Sequence, residues 1–253
     1  GILPALGDNF NEQVLQGGPH RCKILANFGV GYNHIDVALA TENGVRVSNT
    51  PGAVTDATAD IALMLMLMTC RRAAEGERLV RSGQWSGWHP TQMLGMHLSG
   101  KRLGIVGMGR IGQAIARRAH FGFGMEVAYY NRSTKSVDIP ATQIRSLKTL
   151  AANVDLLVVA VPGGPETKGL INADIFSAMQ AHSHFVNIAR GDVVDENALI
   201  TALQTGQIAG AGLDVYENEP EVPAALRKLD NVTLLPPLGT AASEVRTAMG
   251  MLA

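Results

Sequence analysis

Hydrophobic residues recur along the chain as short unbroken runs, and stretches with helical spacing lie between them. The runs that predict strands cover residues 23–28, 45–47, 103–106, 125–130, 155–161, 185–189, 208–215 and 232–235. The stretches that predict helices cover residues 33–42, 113–117, 173–179, 196–205 and 241–252. Unbroken runs are typical of strands covered on both faces, as in a parallel sheet flanked by helices. The pattern therefore predicts an α/β fold with a doubly wound parallel sheet.

The longest helical pattern begins at Thr55 or Asp56 and ends at Gly83. Residues 61–68 within it are apolar on every side, which predicts a segment that is buried all round. Its methionines would also suit a flexible binding surface. We favour the alternative, a core segment between two domains or two subunits.

Residues 101–132 place a glycine-rich turn between a strand and a helix, and a second strand closes the unit. In the turn GMGRIG (107–112), Gly107 permits the tight bend, Gly109 lets the backbone approach a pyrophosphate, and Gly112 lets the helix pack on the strand. The helix presents its unpaired N–H groups and the positive end of its dipole to the phosphates. A glycine turn without a ligand is the alternative, but the complete unit favours a dinucleotide site.

Composition argues against several classes of function. With 253 residues, a formal net charge of -1 and 17% charged residues, the chain has no basic excess that would attract nucleic acid. Its longest apolar run is far shorter than the roughly 20 residues that span a bilayer, and its start does not resemble a secretory signal. Cys22 and Cys70 have no metal-ligand spacing. We therefore expect reduced cysteines in a cytoplasmic protein without a metal site.

The first part of the chain resembles a fragment of a domain. Residues 1–22 have a loop-like composition with a break at Gly17-Gly18-Pro19, and a single strand–helix–strand unit follows. Such a unit is a poor domain by itself, because independent stability needs three strands or a covering layer. We therefore expect residues outside this sequence, which starts at Gly1 without a methionine, to complete it.

The chain resembles the D-isomer-specific 2-hydroxyacid dehydrogenases, and most closely their glyoxylate/hydroxypyruvate reductase branch. The matching segments, in the family's order, are NFGVGYNHID (27–36), NTPGAVTDATAD (49–60), GIVGMGRIGQAIARRA (104–119), NIARGDVVDENAL (187–199) and GAGLDVYENEP (210–220). The resemblance implies a doubly wound (Rossmann) domain plus an incomplete flavodoxin-like substrate domain. It also implies a homodimer that binds a nicotinamide cofactor and a small 2-keto or 2-hydroxy acid.

The resemblance gives each part of the chain a role. Residues 1–50 would be a partial substrate (lid) domain, and residues 51–96 an inter-domain helix and dimerisation loop. Residues 97–240 would be the dinucleotide-binding domain, and residues 241–253 the start of a helix that returns to the substrate domain. By the same resemblance, the cofactor-binding residues are Thr58, Gly107, Gly109, Arg110, Ile111, Gly112, Asn131, Arg132, Ser133, Val161, Pro162, Ala189 and Asp214.

By resemblance, Arg190 clamps the substrate, since a forked guanidinium can hold a carboxylate and polarise a carbonyl together. In isolation it would be interpreted as a surface arginine in a salt bridge, but within NIARG we favour the clamp. The backbone N–H groups of Val30 and Gly31 resemble a second carboxylate hold. Thr58 resembles a hydroxyl that contacts the cofactor, and Asp214 resembles the acceptor of the nicotinamide amide. For Asp214 a turn-capping role is an equal alternative.

A Glu–His pair supplies the proton in the family. Glu219 matches the glutamate, but Pro237 stands where the histidine is expected, and proline has no titratable group. Three explanations stay open: a natural, engineered or erroneous sequence change; a replacement carrier such as His89 or His97; or a protein that keeps the cofactor without fast chemistry. His182 and His184 are interpreted as exposed loop residues rather than ligands.

The end of the predicted strand 125–130 bears on the choice of cofactor. An NAD site usually has an acid there for the ribose 2′-OH, whereas this chain has Asn131 followed by Arg132, Ser133 and Lys135. The basic residues would attract a 2′-phosphate and the serine would hydrogen-bond it, although a solvated basic turn is the alternative. We therefore predict NADP(H), with NAD(H) as the second choice.

These predictions converge on an NADPH-dependent reductase of glyoxylate or hydroxypyruvate, whose activity would be impaired if no other group replaces the histidine expected at Pro237. Another small 2-keto acid is a close alternative, and phosphorylated substrates are disfavoured because the loop from Phe28 to Asn33 offers no cation. An alternative from another class is a catalytically weak, nucleotide-sensing or interaction protein on the same scaffold.

Overall fold

The computed structural model describes residues 1–5, 7–16 and 21–253, so the predicted break at Gly17-Gly18-Pro19 lies outside the described residues. The elements in chain order are α1 (Glu12–Leu15), β1 (Ile24–Ala26), α2 (Val37–Glu42), β2 (Arg46–Ser48), α3 (Thr55–Cys70), α4 (Ala73–Arg81), β3 (Arg102–Val106), α5 (Arg110–Phe123), β4 (Glu126–Tyr130), β5 (Ala141–Gln143), α6 (Leu147–Ala152), β6 (Leu156–Val159), α7 (Ala173–Ala178), β7 (His184–Asn187), α8 (Glu196–Gln204), β8 (Gly210–Leu213), α9 (Ala224–Arg227), β9 (Val232–Leu234) and α10 (Ser243–Leu252). A short 3₁₀ turn covers Gly191–Val193.

Two units divide the chain: residues 1–57 with 240–253, and residues 58–239. In the larger unit seven parallel strands lie in the order β5-β4-β3-β6-β7-β8-β9. The order reverses between β3 and β6, and open α/β sheets bind ligands beside the carboxyl ends of the strands at such a point. In the smaller unit β1 and β2 form a two-stranded parallel sheet.

The sheet of the larger unit is covered on both faces. Leu157 and Val159 of β6 belong to one apolar cluster, and Leu156 and Val158 of the same strand belong to a second. All four side chains are fully buried. This arrangement confirms the doubly wound parallel fold that the unbroken runs predict.

The prediction of one long helix from Thr55 to Gly83 is wrong. The helix ends at Cys70, Arg72 adopts a left-handed conformation with φ of 54°, and α4 begins after it. The Cys70 carbonyl instead accepts a hydrogen bond from the Met96 N–H at 2.8 Å. The expected burial on every side also fails, because Leu67 is 38% exposed.

Several short elements have no counterpart among the predictions. They are α1, β5, α6, α9 and the 3₁₀ turn, each of three to six residues. Cys22 and Cys70 are both free, as expected. Within the described ranges no helix has the length and apolarity needed to cross a membrane.

Candidate cofactor and substrate site

The glycine turn after β3 has the geometry of a pyrophosphate cradle. Gly107 has φ of 101°, and a Cβ there would lie 2.8 Å from the Ala160 carbonyl oxygen. A Cβ on Gly112 would lie 2.1 Å from the Gly107 carbonyl oxygen, so only glycine lets α5 start this close to the turn. Gly109 caps α5 with open space where its side chain would be. The turn thus leaves room beside the unpaired first N–H groups of the helix, where a phosphate binds well.

Asn131 connects this turn to the segment after β4. Its Oδ1 accepts a hydrogen bond from the Met108 N–H at 3.1 Å, and its Nδ2 donates to the Ser133 carbonyl at 2.8 Å. Gln143 on β5 adds two more bonds, from its Nε2 to the Asn131 carbonyl at 3.0 Å and from the Thr134 hydroxyl to its Oε1 at 2.7 Å. The segment of residues 131–135 is therefore held in shape by its own neighbours.

The remaining predicted cofactor residues lie at the carboxyl ends of neighbouring strands. Val161 and Pro162 follow β6, and Ala189 follows β7. The Val161 side chain borders the glycine turn, because its Cγ1 would lie 2.9 Å from a Cβ on Gly107. Arg110 and Ile111 are the first residues of α5. The fold brings these positions to one edge of one sheet.

Arg190 follows β7 in extended conformation at the start of the 3₁₀ turn. The Asn187 side chain fixes this bend, accepting from the Ala189 N–H at 3.0 Å and donating to the Arg190 carbonyl at 2.9 Å. A Cβ on Gly163 would lie 2.8 Å from the Arg190 Cγ, so the glycine makes room for the arginine stem. Burial lowers the pKa of the guanidinium, and the charges of Glu219 and Asp192 oppose that change. Arginine nevertheless stays protonated, so the site holds a permanent cation.

Asp214 follows β8 and makes the hydrogen bonds of a turn-capping aspartate. Its Oδ1 accepts from the Leu238 N–H at 2.8 Å and its Oδ2 from the Gly239 N–H at 3.1 Å. The Thr58 hydroxyl donates to the Gly239 carbonyl at 3.1 Å. The pKa of Asp214 is raised to about 6, mainly by burial and also by the charge of Glu219. The hydrogen bonds from the N–H groups of Leu238 and Gly239 act in the opposite direction. Each carboxylate oxygen keeps a second lone pair for another donor.

Glu219 and Pro237 line one cavity of about 340 Å³. The Glu219 Oε1 accepts from the Tyr216 N–H at 2.9 Å, and the Tyr216 hydroxyl donates to the Leu235 carbonyl at 2.7 Å. The carboxylate and the segment that carries Pro237 are therefore held by the same tyrosine. Glu219 and Pro237 thus line one cavity, and a proline ring occupies the position where the family has a histidine.

In the smaller unit the loop after β1 leaves the N–H groups of Val30 and Gly31 open. The Asn27 side chain donates to the carbonyls of Gly29 and Gly31, each at 3.0 Å, and the Asn49 side chain donates to the Val30 carbonyl at 2.8 Å. Across the part of the chain that is described, the N–H groups of Val30 and Gly31 have no hydrogen-bond acceptor. The carbonyls of Gly29, Val30 and Gly31 accept hydrogen bonds while neighbouring N–H groups stay free, so the loop is suited to an anion.

The four histidines weighed from the sequence, His89, His97, His182 and His184, do not line the cavity beside Glu219. His89 and His97 are exposed. The interpretation of His184 as an exposed loop residue is wrong, because it is buried as the first residue of β7 and burial lowers its pKa to about 4. His182 is half exposed and its Nε2 lies 2.8 Å from Asp155 Oδ1.

Asp155 also forms a salt bridge with Arg102, the first residue of β3. The Arg102 side chain bonds both carboxylate oxygens, at 2.7 and 3.2 Å, and its backbone N–H bonds one of them at 2.9 Å. Burial tends to raise the pKa of Asp155, but the bonds from Arg102 and His182 hold it well below its usual value of 3.8. This network fixes the amino ends of neighbouring strands and lies away from the site.

Sequence reasoning missed five residues that shape the candidate sites, two in the smaller unit and three in the larger. Asn27, Asn49, Gln143, Gly163 and Asn187 act through contacts that no local pattern shows. Three of them lie within segments that carried a signal: Asn27 in NFGVGYNHID, Asn49 in NTPGAVTDATAD and Asn187 in NIARG.

Comparisons with known proteins agree with this geometry. Residues 63–239 match the family described as D-isomer specific 2-hydroxyacid dehydrogenase, NAD binding domain. The glyoxylate reductases of Pyrococcus horikoshii and Pyrococcus furiosus are 45% and 46% identical, and each alignment covers 99% of this chain and 76% of the relative.

Solved structures give the same result. An NADPH-dependent glyoxylate/hydroxypyruvate reductase from Sinorhizobium meliloti, in complex with NADP and malonate, is 44% identical with a TM-score of 0.85 over 90% of this chain and 71% of that one. The holo D-mandelate dehydrogenase of Rhodotorula graminis is 33% identical with a TM-score of 0.91 over 99% and 77%. The chain therefore belongs to the D-isomer specific 2-hydroxyacid dehydrogenase family, in its glyoxylate reductase branch.

Proposed function

We propose that this protein reduces a small 2-keto acid, glyoxylate or hydroxypyruvate, to the 2-hydroxy acid with NADPH. The observation that carries the proposal is the common edge of one sheet, where the pyrophosphate cradle at residues 107–112 and the half-buried cation of Arg190 both lie. Relatives named glyoxylate reductase support the choice of substrate.

The chain's own residues then have defined tasks. Arg190 binds the substrate carboxylate and polarises the carbonyl, because a guanidinium can donate two hydrogen bonds at once. When bound, the nicotinamide cofactor supplies the hydride. Glu219 is the titratable group of the proton path, and Pro237 removes the partner that would deliver the proton. We infer that turnover is impaired, since a positioned general acid contributes about 10²- to 10⁴-fold.

The preference for NADPH rests on the segment after β4. Asn131 carries no charge that would repel a 2′-phosphate, and Arg132 supplies a cation beside it. The relative from Sinorhizobium meliloti, whose structure holds NADP, supports this assignment. NAD(H) remains the second choice.

Two further parts of the proposal come from the resemblance. The open N–H groups of Val30 and Gly31 are suited to a carboxylate.

The second part concerns a homodimer. Trp85 and Trp88 are 54% and 78% exposed, and they suit a contact between two copies of the chain. Light scattering after size exclusion tests the dimer, and a monomer would contradict it.

The main experiment measures NADPH consumption by the purified protein with glyoxylate and with hydroxypyruvate. Arg190→Lys should lower kcat/KM about 10- to 100-fold, because lysine loses one charge-assisted hydrogen bond of the clamp. Arg145→Lys, at an exposed arginine, is the matched control and should leave kcat/KM unchanged. Equal effects of both variants would contradict the clamp. Higher kcat/KM with NADH than with NADPH would contradict the cofactor preference.

Pro237 favours a second candidate, a nucleotide-sensing or interaction protein. Such a protein would bind NADPH without reducing any keto acid at a useful rate. NADPH binding that persists in the absence of saturable turnover, even after a histidine is restored at position 237, would support this candidate.

A further inference from the structure

A carboxylate reaches the basic segment after β4 from another loop. Arg132 Nη1 forms an ion pair with Glu166 Oε2, and both side chains are largely exposed, at 78% and 75%. Glu166 follows β6, 34 residues further along the chain. The segment that lacks an acid of its own at position 131 therefore has one beside it in space.

The loop that carries Glu166 is closed by its own hydrogen bonds. The Thr167 hydroxyl donates to the Pro162 carbonyl at 2.7 Å and to the Gly164 carbonyl at 3.2 Å. The backbone N–H groups of Thr167 and Lys168 donate to the same Gly164 carbonyl at 3.0 and 3.1 Å. Glu166 is therefore presented from a fixed turn, while Asn131 and Gln143 hold the opposite segment in shape.

Two anions would then compete for one guanidinium if NADPH binds here. A 2′-phosphate would draw on the donors of Arg132, whose Nη1 is already paired with Glu166. We propose that Glu166 sets the selectivity between NADPH and NADH by competing with the 2′-phosphate for Arg132. The proposal rests on the assignment of residues 131–133 to the cofactor. NADH has a ribose 2′-OH instead, which donates to carboxylates and does not displace Glu166.

The size of the effect follows from the exposure of the pair. Exposed ion pairs contribute little free energy, so their loss changes an equilibrium by about 1.5- to 5-fold. Glu166→Gln should therefore tighten NADPH binding by about that factor and should not tighten NADH binding. Added salt should reduce the difference, because both competing contacts are screened.

The experiment measures dissociation constants of NADPH and NADH from nicotinamide fluorescence, which needs no turnover. Glu77→Gln is the matched control, since Glu77 is also an exposed glutamate paired with an arginine, Arg81 on α4. In an Arg132→Ala background Glu166→Gln should have no effect on the NADPH constant. A selective NADPH gain in Glu166→Gln that is absent from both Glu77→Gln and the Arg132→Ala background supports the proposal.

Other outcomes separate this proposal from the assigned cofactor preference. If the wild-type protein prefers NADPH and Glu166→Gln changes both constants equally or neither, the role of Glu166 is refuted and the preference stands. If the wild-type protein prefers NADH but Glu166→Gln still tightens NADPH alone, the preference is wrong and Glu166 keeps its role. Binding of neither nicotinamide would refute both.

Discussion

Restoring a histidine at position 237 should restore fast turnover. Pro237 lines the same cavity as Glu219, and the Tyr216 N–H fixes that carboxylate through Oε1 at 2.9 Å. An imidazole introduced at 237 would thus find a positioned anion nearby. We expect Pro237→His to raise kcat about 10²- to 10⁴-fold, which corresponds to roughly 3–5 kcal/mol of transition-state stabilisation.

The pH dependence identifies the new group. A neighbouring carboxylate favours the imidazolium, so the pKa of the introduced histidine should lie above its usual value of about 6.5. Reduction of the keto acid needs the protonated form. The gain in kcat should therefore be present below that pKa and should disappear as pH rises through it, which steady-state NADPH consumption over a pH series measures.

Two further variants test the reasoning. Pro236→His places an imidazole one residue away on the same cavity and should give little gain. Adding Glu219→Gln to Pro237→His should shift the pH profile to lower pH, because the positioning carboxylate is lost. If Pro237→His binds NADPH normally but turns over no faster than Pro236→His, the assignment of a missing proton donor is refuted.

Two other predictions concern the sheet that carries the site. Gly112→Ala should weaken NADPH binding and lower the free energy of unfolding by about 1–3 kcal/mol, because its Cβ would lie 2.1 Å from a carbonyl oxygen of the turn. A Cβ on Gly122, on the same helix, would meet nothing within 4 Å. Gly122→Ala should therefore leave NADPH affinity unchanged and should not lower the free energy of unfolding. Fluorescence titration with NADPH and urea denaturation compare the two variants. Asp155→Asn should lower the free energy of unfolding by about 1.5–3 kcal/mol at neutral pH. Because the folded pKa of Asp155 is depressed, its contribution is present above its unfolded pKa of about 4 and is lost as pH falls through the folded pKa, so urea denaturation should show a difference that shrinks below about pH 4. A difference that stays constant to the lowest pH would contradict this.

The sheet and the glycine turn could be predicted because their signals are local. The buried strands are unbroken apolar runs, and the GMGRIG turn stands directly between a strand and a helix. Family resemblance then added roles for Arg190 and Glu219 that no pattern of neighbouring residues would give.

The break after Cys70 could not be predicted from local spacing, because the Met96 N–H that bonds the Cys70 carbonyl lies 26 residues away. Nothing in the helical spacing of residues 55–83 shows that a distant N–H takes the Cys70 carbonyl. Strand β5 was missed for a related reason, since three residues at the edge of a sheet carry too little apolar signal.

The contacts around the segment of residues 131–135 could not be predicted from the sequence either. Gln143 and Glu166 come from elements on either side of Asn131 in space, and their roles depend on strand order. The sequence shows which residue types are present after β4 but does not show which distant side chains hold or neutralise them.

The side-chain amide of Asn131 links two segments that we assign to one cofactor. It bonds the glycine turn, proposed to hold the diphosphate, and the segment of residues 131–135, proposed to lie beside the adenosine ribose. Any substitution at 131 made to change nicotinamide choice would therefore also loosen the diphosphate cradle and penalise both cofactors. Positions 132 and 166 make no such bond to the turn, and an engineer seeking a change of cofactor in this scaffold should begin there.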